Sequence, residues 1–497
     1  MTRIGIIGGG ISGLTIAWLL KKRGYAVRVY ESAETPGGAI RTTRDPDGWM
    51  AEWGPNTIIE SSGRIKKLVA MLELENRRCY PGSLVKKRFL VRDGRLLAAP
   101  DSLKAFITSP LLGRSAKLSL LKEPFVARPK PETDRQQHPA EEELETWSRN
   151  KPAPATGSPG TSESVASTLE YRDESLAEFV RRRLNDEFLK WPIDALVGGI
   201  YAGDPEQLSV RHAFPRLSLL EEQHGSLILG LLKGGVRRPP GSDEIPRNKA
   251  NIFSFDGGLQ VLINALADRL GDNMLTGCTI SRIGQAGDKW QIVPEKGSLP
   301  EEFDSLVYAG TAHGLSRIAL PDSLRGVLQP LTGIPYPPVA TLTLGFRRRD
   351  VRHPLDGFGM LIPGIEQFPI LGTLFTSSLF PGRAPDEEHV TLTTYIGGMR
   401  QPELAEKSES EQISASLKSI DALLGLNGDP LFRHRVVWPK AIPQYHTGFG
   451  NHLDVMSHVE RIHPGFYLAG NYRTGISVGD SINAAFDMAE RITKETT

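Results

Sequence analysis

Cysteine is nearly absent: Cys79 and Cys278 are the two in 497 residues. They form neither a paired ligand spacing nor a disulfide framework. Structural zinc, iron–sulfur and disulfide-stapled classes therefore drop out, and the expected compartment is a reducing one, the cytoplasm. Charge of one sign is lacking as well. Lys and Arg number 59 against 58 Asp and Glu, for a net charge of +1. No global field draws the chain to nucleic acid, and no nucleic-acid partner is expected. No apolar run reaches the length of a membrane span. The apolar stretch from Ile4 to Leu20 is broken by glycines, and Lys21-Lys22-Arg23 follows it instead of preceding it, so it does not read as a signal peptide. His212, His224, His313 and His446 share no ligand spacing. No metal site and no catalytic side chain is assigned. What remains is an ordinary globular composition, 39% hydrophobic and 24% charged, in a chain long enough for more than one domain.

Glycine, by contrast, is organised. The chain opens Arg3-Ile-Gly-Ile-Ile-Gly8-Gly-Gly10-Ile-Ser12-Gly13, continues through an apolar helix, and reaches Val27-Arg-Val-Tyr-Glu31. A strand, then Gly8-x-Gly10-x-x-Gly13, then a helix and a second strand ending in an acid, is the dinucleotide-binding fingerprint in its proper context. Gly8 permits the tight turn, Gly10 lets backbone approach a pyrophosphate, and Gly13 lets the helix close on the strand. Ser12 lies on the first turn, where free N–H groups and the positive dipole end face the phosphates. Glu31 accepts from a ribose diol and repels a 2′-phosphate, which disfavours NADP. The fingerprint alone does not separate NAD from FAD.

Beyond it come Thr35-Pro-Gly37-Gly38-Ala39-Ile-Arg41, a glycine pair with a phosphate-suited guanidinium, and Gly54-Pro55-Asn56, a second special turn. Arg88-Phe-Leu-Val-Arg92-Asp93-Gly94-Arg95 reads as a hairpin with an Asp-Gly turn. Residues 123–171 turn to Pro, Ser, Thr, Glu and Gly and read as a disordered insertion. Single helices are expected over 174–190, 210–222 and 402–424. Gly257-Gly258 opens another helix, and Ser305-Leu-Val-Tyr-Ala309 reads as a buried strand returning to the first domain. Ala340–Phe346, Leu371–Phe375 and Val390–Tyr395 alternate with period two, the pattern of a half-buried antiparallel sheet. Near the end, Phe466-Tyr-Leu-Ala-Gly470 enters a glycine-rich loop, and a helix begins near Gly479-Asp480. Two cofactor-facing helix starts at the two chain ends favour a ligand as long as FAD.

These segments resemble the FAD-containing amine oxidase superfamily. Gly198-Gly199-Ile-Tyr201-Ala-Gly-Asp204-Pro-Glu-Gln-Leu208-Ser209, Gly357-Phe358-Gly359-Met-Leu361-Ile-Pro363 and Ile442-Pro443-Gln444-Tyr445 are more specific. They resemble the protoporphyrinogen oxidase and coproporphyrinogen III oxidase family. The resemblance covers nearly all of the chain outside 123–171. It implies an α/β fold with a Rossmann-like, discontinuous FAD-binding domain (1–60, 252–330 and 455–497). It also implies an antiparallel-sheet substrate domain (61–95 and 331–454) and a helical domain (96–251). The implied activity is oxygen-linked oxidation of a porphyrinogen to a porphyrin in haem synthesis, with FAD bound non-covalently, since no cysteine lies near the C-terminal loop. Phe358, Gly359 and Leu361 would line the substrate pocket, with Gly199 across from them and Arg88 on a propionate. The clustered Lys86, Lys87, Arg88 and Arg92 hint at coproporphyrinogen, the four-propionate substrate. Where the superfamily often carries Arg on each side of the glycine pair, this chain has Thr35 and Ala39, and Arg41 is the nearest substitute. An amine oxidase, a carotenoid desaturase and a non-catalytic flavin scaffold stay open as alternatives. So do a homodimer, a peripheral contact with the inner face of a membrane through leucine-rich helices, and hand-over to the next enzyme of the pathway.

Overall fold

The computed structural model describes residues 1–82, 85, 87–128, 173–237, 243–246, 250–296 and 299–496. Two sheets organise them. The first is five-stranded and wholly parallel, in the order Met274–Leu275, Ala26–Tyr30, Arg3–Ile7, Ser305–Tyr308, Phe466–Leu468. The three central strands and Phe466–Leu468 are short, mostly buried apolar runs, as a sheet covered on both faces requires. Helices Ile11–Lys22, Gln260–Leu270 and Val478–Thr496 share one core with its strands. The expected return of Ser305–Ala309 to the first domain is thus a parallel pairing with the opening strand, Ile4 opposite Ser305.

The second sheet has seven strands, in the order Phe432–Trp438, Val339–Arg347, His389–Gly397, Gly372–Leu374, Gly357–Leu361, Lys87–Arg92, Arg95–Ala98. It is antiparallel except where Gly357–Leu361 runs parallel to Lys87–Arg92. Asp93 and Gly94 both adopt positive φ, 53° and 69°, which is the turn the Asp-Gly pair suits. One face packs Phe89, Leu342, Met360, Leu392 and Ile396 against helix Glu409–Leu424. The other face meets the first lobe and a helical layer.

The structure departs from expectation in five places. Residues 129–171 of the anticipated insertion lie outside the described residues, but 123–128 are part of the fold. Glu123 is fully buried, where its carboxylate accepts from Leu227 N at 2.8 Å and Ile228 N at 3.2 Å. An acid held by helix-start N–H groups anchors this segment to Leu227–Leu232. The helix expected over 174–190 stops at Arg183, because Asn185 turns its side chain onto Glu187 N and Phe188 N and starts a new turn. The 210–222 helix is split at Phe214 by Pro215, and 402–424 is split between Ala405 and Glu409. Finally, Ile65, Leu68, Val69, Leu72 and Leu74, in the segment expected to open the substrate domain, pack into the parallel-sheet core.

Candidate active site

The fingerprint glycines have three different reasons to be glycine. Gly8 has φ 113°, and a Cβ there would stand 2.7 Å from the Ala309 carbonyl oxygen. Gly13 lies so close to Gly8 that a Cβ would reach its carbonyl at 2.0 Å. Gly10 is the opposite case: a Cβ there would meet nothing within 4 Å. It caps helix Ile11–Lys22 with no side-chain cap and no acid in the first turn, and Ser12 is buried beside it. Free N–H groups and a dipole end facing open space form an anion cradle. Glu31 is buried next to it and accepts from Gly9 N at 2.7 Å and Ala33 N at 2.8 Å, which holds a carboxylate where a ribose would arrive.

A Cβ on Gly38 would stand 3.5 Å from the Gly10 Cα, and Gly37 bridges to Gly10. Arg41 lays its guanidinium 5.2 Å over the Trp53 ring and donates one bond, to the Thr35 carbonyl at 3.3 Å. Its buried Nε has no partner among the described residues. An orphaned cationic donor costs free energy unless a ligand satisfies it. Gly54 lies where a Cβ would meet the Ala39 carbonyl at 2.7 Å; after Pro55, Asn56 donates to the Tyr395 hydroxyl at 2.8 Å. These residues fit the pyrophosphate half of FAD.

The C-terminal loop completes the cradle. Gly470 and Gly475 take φ 140° and 126°, and Ser477 caps helix Val478–Thr496. The helix starts one residue earlier than expected. Asp480 closes the cap on Ser477 Oγ at 2.6 Å, and Gly479 lies against the Ile59 carbonyl. Two buttresses missed in the sequence hold this loop. Tyr445, of the Ile-Pro-Gln-Tyr segment, bonds the Asn471 carbonyl and accepts from Gly475 N at 2.9 Å. Glu460 accepts from Leu468 N at 2.9 Å and clamps Arg473 and Arg491. Burial pushes its carboxyl up, but the two guanidiniums outweigh that and hold it below the usual range.

On the large sheet, the register puts Leu90, Leu361, Gly372 and Tyr395 in one row. Leu361 packs with Leu90 and Ala195, so this row faces away from the core under Glu409–Leu424. A Cβ on Gly372 would stand 2.6 Å from the Met360 carbonyl and 3.5 Å from Leu361 Cδ2. Gly359 has φ 149° and would collide with the Thr373 carbonyl if it bore a Cβ. At this register shift, Phe358 comes beneath Arg88, 5.5 Å from guanidinium to ring centre. Arg88 is exposed and has no carboxylate partner among the described residues. Its neighbours do: Lys87 pairs with Asp356 at 2.5 Å and Arg92 with Glu187 at 2.9 Å, while Lys86 lies outside the described residues. Gly199 was expected across the pocket from Leu361. Instead the two touch, since a Cβ on Gly199 would stand 2.4 Å from Leu361 Cδ2. Alternation in Val390–Tyr395 carries the one sequence signal for Tyr395, whose parity is opposite to core-facing Leu392. Burial pushes its phenol up, so it stays neutral. Among the described residues no cluster suits a metal ion.

Comparison with known proteins places the chain among flavoenzymes. The chain is 30% identical to the mitochondrial protoporphyrinogen oxidase of Nicotiana tabacum, over 99% of this chain and 94% of that one. It is 25% identical to the coproporphyrinogen III oxidase of Bacillus subtilis, over 96% and 95%. A crystal structure from Exiguobacterium sp. superposes with TM-score 0.77 at 22% identity over 99% of both chains, and a reduced UDP-galactopyranose mutase with 0.68 at 15%, over 99% and 96%. At those identities the two structures speak for the fold. The flavin-containing amine oxidoreductase model matches residues 11–493, and the chain belongs to that family.

Proposed function

We propose that the protein is an FAD-dependent porphyrinogen oxidase of haem synthesis with oxygen as acceptor. The full-length match to porphyrinogen oxidases carries this reading, 30% identity over 99% of the chain. The site is consistent with it. Oxidising a porphyrinogen to a porphyrin removes six electrons in three two-electron steps, and three oxygen molecules leave as hydrogen peroxide. Bound FAD supplies that redox chemistry. The protein must hold, orient and keep dry. The Gly10 cradle, Arg41 and the Gly470–Gly475 loop would hold the cofactor. Arg88 offers a charge-assisted donor to a propionate, and Phe358 an aromatic face to the tetrapyrrole. Leu361, Leu90 and half-buried Tyr395 supply an apolar wall, and Asn56 fixes the Tyr395 hydroxyl. No general acid or base is required of them.

The test is direct. Purified protein should be yellow, release FAD on denaturation, and raise porphyrin fluorescence when given a porphyrinogen in air. Colourless protein that cannot be loaded with FAD overturns the cofactor. Yellow protein that oxidises amines and not porphyrinogens overturns the substrate.

A second proposal concerns location. No helix of the described residues is long and apolar enough to cross a membrane. The helical layer nonetheless exposes Leu118, Leu121, Phe125, Leu231 and Leu232, each more than half accessible and Phe125 at 88%. They stand on adjoining segments, Arg114–Lys122, Glu123–Phe125 and Leu227–Leu232. Lys117, Lys122, Arg128, Lys233 and Arg237 accompany them, and Glu123, the acid within those three segments, is buried. Apolar side chains beside these cations suit an anionic lipid surface. Co-sedimentation with phosphatidylglycerol vesicles, absent with phosphatidylcholine and abolished by Phe125→Glu with Leu232→Glu, is the expected result. Failure to sediment with either lipid overturns the proposal.

A further inference from the structure

The Gly198-Gly199 pair sits inside a latch for which the reaction has supplied no role. Helix Asp194–Tyr201 carries both glycines. At its start, Asp194 pairs with Arg400 at 2.8 Å and accepts from Gly364 N at 2.7 Å. Arg400 also bonds the Asp194 carbonyl, and it donates to the Ile362 carbonyl at 3.0 Å, one residue past Leu361. At the helix end, Ala202 adopts the left-handed region, φ 49°, and its carbonyl accepts from Met399 N at 2.7 Å. So one loop, Gly397-Gly398-Met399-Arg400, grips the helix at both ends. The loop needs its own glycines: Gly397 and Gly398 take φ 99° and 75°, and a Cβ on Gly398 would stand 2.6 Å from the Ala202 carbonyl.

The two helix glycines divide the work between them. A Cβ on Gly198 would stand 2.8 Å from Arg400 Nη2, and one on Gly199 would stand 2.4 Å from Leu361 Cδ2. The first admits the latch, and the second admits the wall that the latch aligns. Arg400 and Asp194 have side chains 16% and 19% exposed, away from bulk water, where an ion pair holds direction.

We propose that Arg400 is a positioning residue, which together with Asp194 fixes helix Asp194–Tyr201 on the end of strand Gly357–Leu361 and so sets the Gly199–Leu361 wall of the substrate pocket. This rests on the reading of that wall as part of a porphyrinogen pocket. Arg400 touches neither cofactor cradle nor Arg88, so its loss acts on substrate fit.

A double-mutant cycle tests it. Gly198→Ala and Arg400→Ala should each raise KM for the porphyrinogen about tenfold, with FAD content, flavin spectrum and kcat within twofold of wild type. The pair should not add: the three atoms nearest the new methyl all belong to the Arg400 guanidinium, so with it gone Gly198→Ala becomes neutral in the Arg400→Ala background. Arg400→Lys, which keeps the charge but loses the fork, should fall with Arg400→Ala. If Arg400→Ala does not fold as yellow protein, Gly198→Ala alone against Gly198→Ala/Arg400→Lys carries the same comparison. Additive effects, or losses of FAD or kcat with KM unchanged, overturn the latch while leaving the substrate reading intact. Loaded wild-type protein that oxidises no porphyrinogen overturns the substrate reading and the pocket role with it.

Discussion

Gly10 and Arg88 are the two positions where single atoms decide most. Gly10 opens onto space that none of the described residues fills. A side chain there occupies the cofactor's approach without disturbing the fold, so Gly10→Val should give folded, colourless protein, seen as near-native circular dichroism with no bound flavin. Stoichiometric FAD in that variant would count against the cradle. Arg88 is the member of its basic cluster without a carboxylate partner among the described residues. Arg88→Ala should raise KM by the loss of one charge-assisted contact, about 1.5–3 kcal/mol, with FAD content unchanged. Because Lys87 and Arg92 are committed to Asp356 and Glu187, the effect should be similar on four-propionate and two-propionate substrates. Of the cluster behind the coproporphyrinogen expectation, Lys87 and Arg92 are paired, Arg88 has no carboxylate partner among the described residues, and Lys86 lies outside them. Parallel kinetics on both porphyrinogens would settle this. Residues acting through local spacing, such as the fingerprint glycines and Glu31, were legible from the sequence. Tyr395 and Arg400 were not, since only strand register and loop geometry bring them to the site.

Elements succeed or fail by their ends. The Asp93-Gly94 hairpin was readable because two residues dictate the turn. The helix broken at Asn185 was not, since its apolar spacing continues through the break and a single side chain redirects the backbone. The C-terminal helix and its loop depend on Glu460. The carboxyl is held below its ordinary pKa, so the folded state binds its proton less readily than the unfolded chain. The stability it contributes is present above the unfolded value of about 4.3 and is lost as pH falls through the lower folded value. Wild-type protein should lose thermal stability and release FAD as pH drops below about 4. Glu460→Gln should be less stable than wild type at pH 7 and show a smaller drop between pH 7 and 4. Parallel curves for the two proteins would remove Glu460 as the cause.

At the scale of the molecule, the chain crosses between lobes repeatedly. It builds parallel strands at 3–30, sheet strands at 87–98, parallel strands again at 274–308, sheet strands at 339–438, and a last parallel strand at 466–468. Neither lobe is a continuous segment, so neither can unfold while the other keeps its ends. One cooperative thermal transition is expected, and it should move up with added FAD by mass action, about 2.7 kcal/mol at a hundredfold excess over Kd. Two separate transitions, one insensitive to FAD, would refute the coupling. The discontinuity was visible in the sequence as a late return of buried-strand and glycine-loop patterns. The packing of Ile65 to Leu74 into the first lobe was not, because an amphipathic helix does not declare which core it serves. The loop at Gly397–Arg400 has a consequence for how such a protein diversifies. It lies outside the cofactor cradle yet holds both ends of the helix that bounds the pocket. One inserted residue there displaces that helix by up to about 3.8 Å, the width of an alkyl group. A lineage can thus retune which ring substituents its pocket admits by changing loop length, and leave the flavin-holding sequence untouched.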